Sequence, residues 1–375
     1  MDSILLRRLF GLDPELAHRL GFGAAWLADR IAPAYLEKTF GFDDPVLHQE
    51  VWGLNFPNPI GLAAGCDKNA LLVSFWDRLG FGHAEVGSVT VNRSSGSSRP
   101  RLFRLPEDRA VINRLGLPSK GSRRVVQRLS RCSAIKMPIG VSIARVDGSS
   151  SAIKDYCQCA LRLLPYADYL TINISCPNTI DGKSFEVPEH LDSLLNALMD
   201  ELGDRVPVLV KLSPPDTPKV IYDSQTEALL ETAVRHGVNG FVVTNTAKDR
   251  LGLVTDKESL DAIGDGGLSG PPIYPRAVQM VRYVRSCVGP DYPIIGVGGI
   301  SSAEDAYQMI RAGASLLQIY TALIYEGPKL VQSIKRGLVQ RLKSSGYTSI
   351  ASVVGTAPGI GESASVAELP FTPSV

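Results

Sequence analysis

Residues 294–302, Ile-Ile-Gly-Val-Gly-Gly-Ile-Ser-Ser, join a short apolar run to the start of a helix through paired glycines. The first run covers 294–297. A second apolar run, Leu-Leu-Gln-Ile at 316–319, is followed by Tyr320-Thr321, and a helical pattern at 303–312 lies between the two runs. Short, almost continuously apolar runs that alternate with helices are typical of a parallel sheet whose strands are buried on both faces. This stretch therefore indicates an α/β fold.

Six further apolar runs precede these two. They lie at 60–64, 84–89, 139–143, 169–174, 208–212 and 240–244. Helical patterns at 193–202 and 227–236 separate some of them, so the eight runs predict a (β/α)8 TIM barrel. The intervals 90–138 and 246–293 are longer than a connecting helix needs, and we expect insertions over the barrel mouth there.

The composition of the chain excludes several classes of protein. Its 375 residues are 44% hydrophobic and 21% charged, which is enough to bury a large core. A net charge of +1 makes nucleic acid an unlikely partner class. The six cysteines form no Cys-x-x-Cys pair, which argues against a metal or iron–sulfur site. No apolar run could cross a bilayer and no signal peptide is visible, so we expect reduced thiols in a cytosolic compartment.

Small and polar residues follow every predicted strand. In an α/β barrel the chemistry takes place at the carboxyl ends of the strands, so these residues are the candidates for a ligand site. They are Ala64, Gly65 and Lys68, then Ser88, Ser142, Asn173, Lys211, Thr244, Asn245 and Thr246, and finally Gly298, Gly299, Tyr320 and Thr321.

The glycines after the seventh predicted strand suggest a phosphate site. Gly298 and Gly299 precede a helix, and Thr321 follows the eighth strand, which is where such barrels bind phosphate. An ordinary strand–helix turn is the alternative reading, and the position after strands seven and eight favours phosphate.

Lys211 ends a buried strand, where an ammonium group is costly unless an anion receives it. Asp67 is the one acidic residue in the neighbouring strand-end motifs that could pair with it. A structural ion pair is possible on this reading, and we favour an anionic ligand.

Several amides and one thiol complete the candidate site. Asn113, Asn173, Asn178 and Asn245 fall in different mouth segments, and amides that both donate and accept suit a planar ligand with carbonyl and N–H groups. Each asparagine alone is more often a turn residue. Cys176 precedes a proline in the same region and is either a buried filler or a catalytic base.

An ordered series of motifs over about residues 1–358 resembles the class 2, quinone-linked dihydroorotate dehydrogenases. The motifs are Asp-Pro-Glu-Leu-Ala-His at 13–18, Gly-Leu-Ala-Ala-Gly at 61–65 with Asp-Lys at 67–68, Gly-Ser-Val-Thr at 87–90, Arg-Pro-Arg-Leu-Phe-Arg-Leu at 99–105, Ile-Asn-Arg at 112–114, Gly-Leu-Ser-Gly at 267–270 and Ile-Gly-Val-Gly-Gly-Ile at 295–300.

The resemblance implies FMN at the mouth, with its phosphate at Gly298, Gly299, Tyr320 and Thr321 and with Lys211 facing the ring. The remaining flavin residues would be Ala64, Gly65, Ser88, Ser142, Asn173, Thr244, Ser269 and Gly270. The resemblance likewise implies dihydroorotate as substrate, with Cys176 removing the C5 proton while a hydride leaves C6. The substrate residues would be Lys68, Asn113, Asn173, Asn178, Asn245 and Thr246.

Three positions depart from the class 2 pattern. Cys176 stands where class 2 proteins have serine and the soluble class 1 enzymes have cysteine. Ser142-Ile-Ala-Arg145 replaces a loop with an asparagine and a lysine, and residues 180–185 replace a Gly-Leu-Arg stretch near the substrate. Two alternatives therefore stay open, namely an FMN oxidoreductase acting on another dihydropyrimidine or cyclic amide, and a non-enzymatic FMN-binding barrel. Fumarate and NAD are alternatives to quinone as electron acceptor.

The chain divides into three predicted segments: a helical quinone-access segment at 1–40, the barrel at 41–355 and a flexible tail at 356–375. Asp13 is a predicted helix cap, and the leucines that follow form an apolar side. The class 2 resemblance implies that His18 and Arg104 lie in a quinone tunnel. We expect this segment to hold the protein peripherally on the cytoplasmic side of the inner membrane. A helix pair packed on the barrel's own core is the alternative.

Overall fold

The computed structural model describes residues 11–132, 134–145, 149, 151–175, 184–215 and 224–357. Eight parallel strands close into a barrel, each bonded to its two neighbours in the ring. In ring order they are β3 (Ile60–Leu62), β4 (His83–Val89), β7 (Ile139–Ile143), β8 (Tyr169–Asn173), β9 (Val208–Leu212), β10 (Gly240–Val243), β12 (Ile294–Val297) and β13 (Leu316–Ile319). The predicted (β/α)8 barrel is confirmed.

Helices connect and surround these strands. The twelve described helices are α1 (Pro14–Ile31), α2 (Pro33–Phe40), α3 (Val73–Arg78), α4 (Ser122–Leu129), α5 (Ala152–Leu163), α6 (Pro188–Leu202), α7 (Ser224–Arg235), α8 (Lys257–Ile263), α9 (Tyr274–Val288), α10 (Ala303–Arg311), α11 (Thr321–Glu326) and α12 (Leu330–Ser344). The sequence pattern begins α6 five residues too late, because Pro188 and Glu189 interrupt the apolar repeat although both residues are well suited to a first helical turn.

A hairpin and two aromatic side chains close the amino-terminal end of the barrel. Strands β1 (Gln49–Val51) and β2 (Leu54–Phe56) form the hairpin, and Trp52 between them donates from its indole nitrogen to the carbonyl of Asn239 at 2.8 Å. The rings of His83 and Tyr169 fill the space above it, where both residues are fully buried. Because these side chains fill this end of the barrel, we expect a ligand to enter at the opposite mouth.

Both long intervals supply strands to one small sheet beside the mouth. Strands β5 (Leu102–Leu105) and β6 (Ala110–Asn113) come from the first interval and β11 (Gly267–Ser269) from the second, and they pair antiparallel in the order β11-β6-β5. This confirms the predicted insertions. Asn113 and Ser269 end their strands at this sheet, so its construction delivers them to the mouth.

Helix α1 begins where the sequence predicts, since Asp13 Oδ1 accepts a hydrogen bond from the Leu16 amide at 2.9 Å. Ion pairs hold the helix on the barrel: Glu15 contacts Arg99 at 2.8 Å and Arg101 at 3.0 Å. No residue of α1 is buried. Phe22 and Ala25 of α1 nevertheless pack against the barrel's main hydrophobic core, and Leu36 of α2 is buried. The alternative of a helix pair packed on the barrel's own core therefore stays open.

Candidate active site

A cavity at the barrel mouth gathers nearly all the predicted site residues that the structure describes. Its lining includes Ala64, Gly65, Lys68, Ser88, Asn113, Asn173, Lys211, Thr244, Asn245, Thr246, Ser269, Gly270, Gly298, Gly299, Tyr320 and Thr321. Ser142 is the exception among the described flavin and substrate residues, because it is fully buried behind Ser88 and does not reach the cavity wall. Cys176 and Asn178 lie outside the described residues.

The cradle after β12 has no room for side chains. Gly298 has φ +136° and Gly299 has φ +74°, both in the region that favours glycine. A Cβ on Gly299 would stand 2.6 Å from Tyr274 Cβ and 2.8 Å from the Gly270 carbonyl oxygen. Within the described part of the chain, the N–H groups of Gly298, Gly299 and Thr321 donate to no protein acceptor. Unsatisfied amides that converge on a cavity wall are suited to an anion.

A chain of hydroxyl and amide groups crosses the floor of the cavity. Ser88 Oγ lies 2.8 Å from Ser142 Oγ and accepts a hydrogen bond from Asn173 Nδ2, also at 2.8 Å. Asn173 Oδ1 in turn accepts from the hydroxyl of Ser175 at 3.3 Å, and Asn245 Nδ2 donates to that hydroxyl at 2.9 Å. The network fixes the rotamers of both asparagines before a ligand arrives.

Ser175 is a residue that the sequence reasoning missed. It is fully buried and makes hydrogen bonds to Asn173 and Asn245, two residues that the sequence analysis does select. The sequence feature that could have identified Ser175 is its position between Asn173 and Cys176 in a strand-end motif.

The sequence favours an anionic ligand for Lys211, with a structural ion pair to Asp67 as the alternative. The structure does not support that ion pair, because the Asp67 carboxylate accepts hydrogen bonds from the backbone amides of Leu71 at 2.8 Å and Leu72 at 2.7 Å and anchors the turn before α3. The acid whose charge acts on Lys211 is Glu85, inside β4. Glu85 is a lone acidic residue within an apolar run of the sequence. The run predicts a strand, and that interpretation alone assigns no role to the acid.

A second cavity lies beneath α1 and adjoins the first. The two share the wall residues Gly65, Lys68, Leu102, Leu115 and Tyr320. His18 lines this second cavity, and its ring stacks on Phe22 with 4.1 Å between centroids. Burial, together with the nearby charge of Lys68, lowers the pKa of His18 to about 4, so this imidazole is neutral at pH 7.

Arg104 does not line this second cavity. Its guanidinium donates to the carbonyl of Leu12 just before α1, and burial lowers its pKa. His18 thus lies within α1, whereas Arg104 contacts the segment that precedes α1. The structure does not bring the two side chains together at one cavity wall.

The fold and the site define a class: a (β/α)8 barrel enzyme whose mouth combines an amide cradle, a buried cation and a cluster of fixed asparagines. The model of the dihydroorotate dehydrogenase family matches residues 46–342. The chain belongs to the dihydroorotate dehydrogenase family.

Curated relatives and solved structures agree with this family. The chain is 42% identical to the dihydroorotate dehydrogenase (quinone) of Nocardia farcinica over 95% of this chain and 96% of the relative. It is 40% identical to that of Mycobacterium bovis over 95% and 98%. A crystal structure of DHODH from Eimeria tenella in complex with ferulenol superposes with a TM-score of 0.81 at 31% identity, covering 93% of this chain and 98% of that one.

Proposed function

We infer that this chain oxidises dihydroorotate to orotate and passes the electrons through FMN to a quinone. The observation that supports it best is the convergence in one cavity of the glycine cradle, Lys211 and the described asparagines Asn113, Asn173 and Asn245. The curated relatives that are 40–42% identical carry the name dihydroorotate dehydrogenase (quinone).

The residues at the mouth fit FMN. The free amides of Gly298, Gly299 and Thr321 are suited to its phosphate, and Lys211 is 6% exposed, with its side chain in the cavity wall. Bound there, FMN would supply the acceptor for the hydride that leaves C6 of the substrate. Ser142 would support the flavin indirectly, because its hydroxyl contacts Ser88 and not the cavity.

The substrate would lie against the amides on the other side of the cavity. Asn113, Asn173, Asn245 and Thr246 line the cavity and can donate to and accept from the pyrimidine carbonyl and N–H groups. Asn178, outside the described residues, is a further proposed substrate contact. Lys68 also lines this cavity, and its ammonium suits the substrate carboxylate. Cys176 would act as the base that takes the proton from C5.

The second cavity is the proposed quinone path. It opens beneath α1 and meets the first cavity at Lys68 and Tyr320. Neutral His18 can donate a hydrogen bond to a quinone carbonyl without bringing a net charge into the path. Arg104, which bonds the segment before α1, would hold the entrance in shape.

The helical hairpin of α1 and α2 is the proposed membrane contact. None of the helices among the described residues is long and apolar enough to span a bilayer. The hairpin nevertheless exposes large apolar side chains, including Leu20 at 52%, Leu27 at 51% and Ile31 at 72% exposure. Such a surface suits a peripheral protein on the cytoplasmic side of the inner membrane.

The deciding experiment is an anaerobic visible spectrum of the purified protein before and after dihydroorotate is added. We expect a flavin band that bleaches on addition. A band that persists would leave the fold and cofactor in place and move the assignment to an oxidoreductase with a different dihydropyrimidine or cyclic amide as substrate. If the band bleaches, turnover with a soluble quinone should exceed turnover with fumarate or NAD. The opposite ranking would contradict the quinone assignment.

A further inference from the structure

Glu85 is a buried acid that neither the phosphate cradle nor the amide network uses. It lies within β4 and is fully inaccessible to solvent. Its Oε2 accepts hydrogen bonds from Thr171 Oγ1 and from Gln318 Nε2, both at 2.9 Å. Among the described residues its Oε1 has no hydrogen-bond partner. A carboxylate in this position is costly unless a nearby positive charge offsets the loss of solvent.

Lys211 is the cation that can offset this cost. Its side chain lies in the wall of the mouth cavity. Its strand β9 neighbours β8 on one side, and on the other side β10 and β12 separate it from the β13 strand of Gln318. Lys211 donates no hydrogen bond to Glu85. Oε2 of Glu85 accepts from Thr171 and Gln318, and Oε1 has no partner among the described residues. Thr171, which donates to Glu85, lies in β8, and β8 pairs with the β9 strand that carries Lys211. The carboxylate thus reaches the strand next to that of Lys211, and its charge acts on the ammonium without a hydrogen bond between the two. The ammonium gives none of its donors to Glu85.

Two other buried ionisable groups of the barrel interior, His83 and Tyr169, are neutral near pH 7. Burial lowers the pKa of His83 to about 4, and burial together with the charge of Glu85 raises the pKa of Tyr169 well above its usual value. Burial also lowers the pKa of Lys211, and the charge of Glu85 opposes this. Lys68 is the next cation at the mouth, and it donates to the carbonyl of Gly65.

We propose that Glu85 is a positioning residue, the internal counter-ion that keeps Lys211 charged and directed at the ligand in the mouth cavity. The proposal rests on the proposed function, since it takes that ligand to be the flavin. Without the carboxylate, Lys211 would lose its proton at a lower pH, and the ligand would meet a neutral amine.

The test is the midpoint potential of the bound flavin as a function of pH in the wild type and in Glu85→Gln, which keeps the shape and the bonds to Thr171 or Gln318. The plot of midpoint potential against pH changes slope, or breaks, at the pH above which reduction takes up one extra proton. In the variant this break should move to lower pH by about 1–3 units, the usual effect of a close opposite charge. An unchanged break would overturn the proposal. Thr171→Val, which removes a hydrogen bond to Glu85 and leaves its charge, is the matched control and should keep the wild-type break.

A second measurement does not depend on flavin. Thermal unfolding of the protein with FMN removed is compared for Glu85→Gln, Lys211→Met and the double variant. Each single change leaves one buried charge uncompensated, so the double variant should be more stable than additivity of the two single losses predicts. Strict additivity would overturn the coupling. If the protein bound no FMN, the proposed function would fail, while this cycle would still decide whether Glu85 and Lys211 are coupled.

Discussion

Asn245 donates from Nδ2 to the hydroxyl of Ser175 at 2.9 Å and to the carbonyl oxygen of the same residue at 2.8 Å, although 70 residues separate them in sequence. One side chain at the end of β10 thus holds the segment that leaves β8. Cys176, the proposed base, is the next residue along that segment. We therefore expect the hydrogen bonds of Ser175 to affect the reaction step assigned to this thiol.

Ser175→Ala should slow reduction of the flavin by dihydroorotate about 5- to 150-fold, since it removes two hydrogen bonds worth about 0.5–1.5 kcal/mol each. FMN content should stay at the wild-type value, because the hydroxyl does not reach the cavity wall. Anaerobic stopped-flow absorbance measures the rate. Ser130→Ala removes an exposed serine hydroxyl and is the control. A wild-type rate in Ser175→Ala would show that the segment is held by the backbone bond alone.

Replacement of the proposed base gives a larger effect. Cys176→Ala should leave FMN bound and slow its reduction about 10²- to 10⁴-fold, the usual contribution of a positioned base. Cys176→Ser should keep part of the activity, because a hydroxyl can take the same role less readily at neutral pH. Cys287→Ala, at an exposed cysteine, should behave as wild type. If Cys176→Ala were reduced at the wild-type rate, the base would have to be another group.

The barrel could be predicted from the sequence because burial on both faces leaves a simple pattern. The observed β7, β9, β12 and β13 coincide with the predicted runs, and the other four barrel strands differ by one or two residues at an end. This pattern depends only on residues within each strand, so it can be recognised without knowing which strands are neighbours in the barrel.

Side-chain partners across the barrel could not be predicted in the same way. Glu85 and Gln318 are 233 residues apart and meet only because β4 and β13 both flank β3 in the closed ring. Ser142 was expected at the flavin and lies instead behind Ser88, since its short side chain ends in the interior. Strand identity therefore follows from sequence, whereas partners depend on the ring order and on side-chain length.

The stability of the barrel should depend on pH through His83. Its ring nitrogens lie 3.0 Å from Tyr169 Oη and 3.1 Å from the Leu317 carbonyl, and burial lowers its pKa from 6.5 to about 4. The unfolded chain then binds more protons than the folded one between these values. The stabilisation is present above about pH 6.5 and is lost as the pH falls toward 4, by up to about 3 kcal/mol.

Denaturant unfolding at pH 7 and pH 5 measures this loss. His83→Gln should be less stable at pH 7 and should show a smaller loss between the two pH values. His48→Gln removes a partly exposed histidine and should retain most of the wild-type dependence. Equal losses in His83→Gln and in the wild type would assign the pH dependence to other groups.

The exposed side of α1 should control attachment to membranes without affecting the chemistry of the first half-reaction. Leu27→Glu places a carboxylate in the proposed contact surface, so partition into vesicles should fall about tenfold, the loss expected when one partly buried leucine no longer contributes. Reduction of the flavin by dihydroorotate should be unchanged, because α1 does not line the mouth cavity. Vesicle co-sedimentation and stopped-flow absorbance measure the two quantities on the same preparations.

Leu251→Glu is the matched control, since Leu251 is 62% exposed but lies in the insertion that carries β11. Equal loss of partition in both variants would mean that added charge, and not the helical hairpin, governs binding, and the membrane contact would then have to be assigned to another surface.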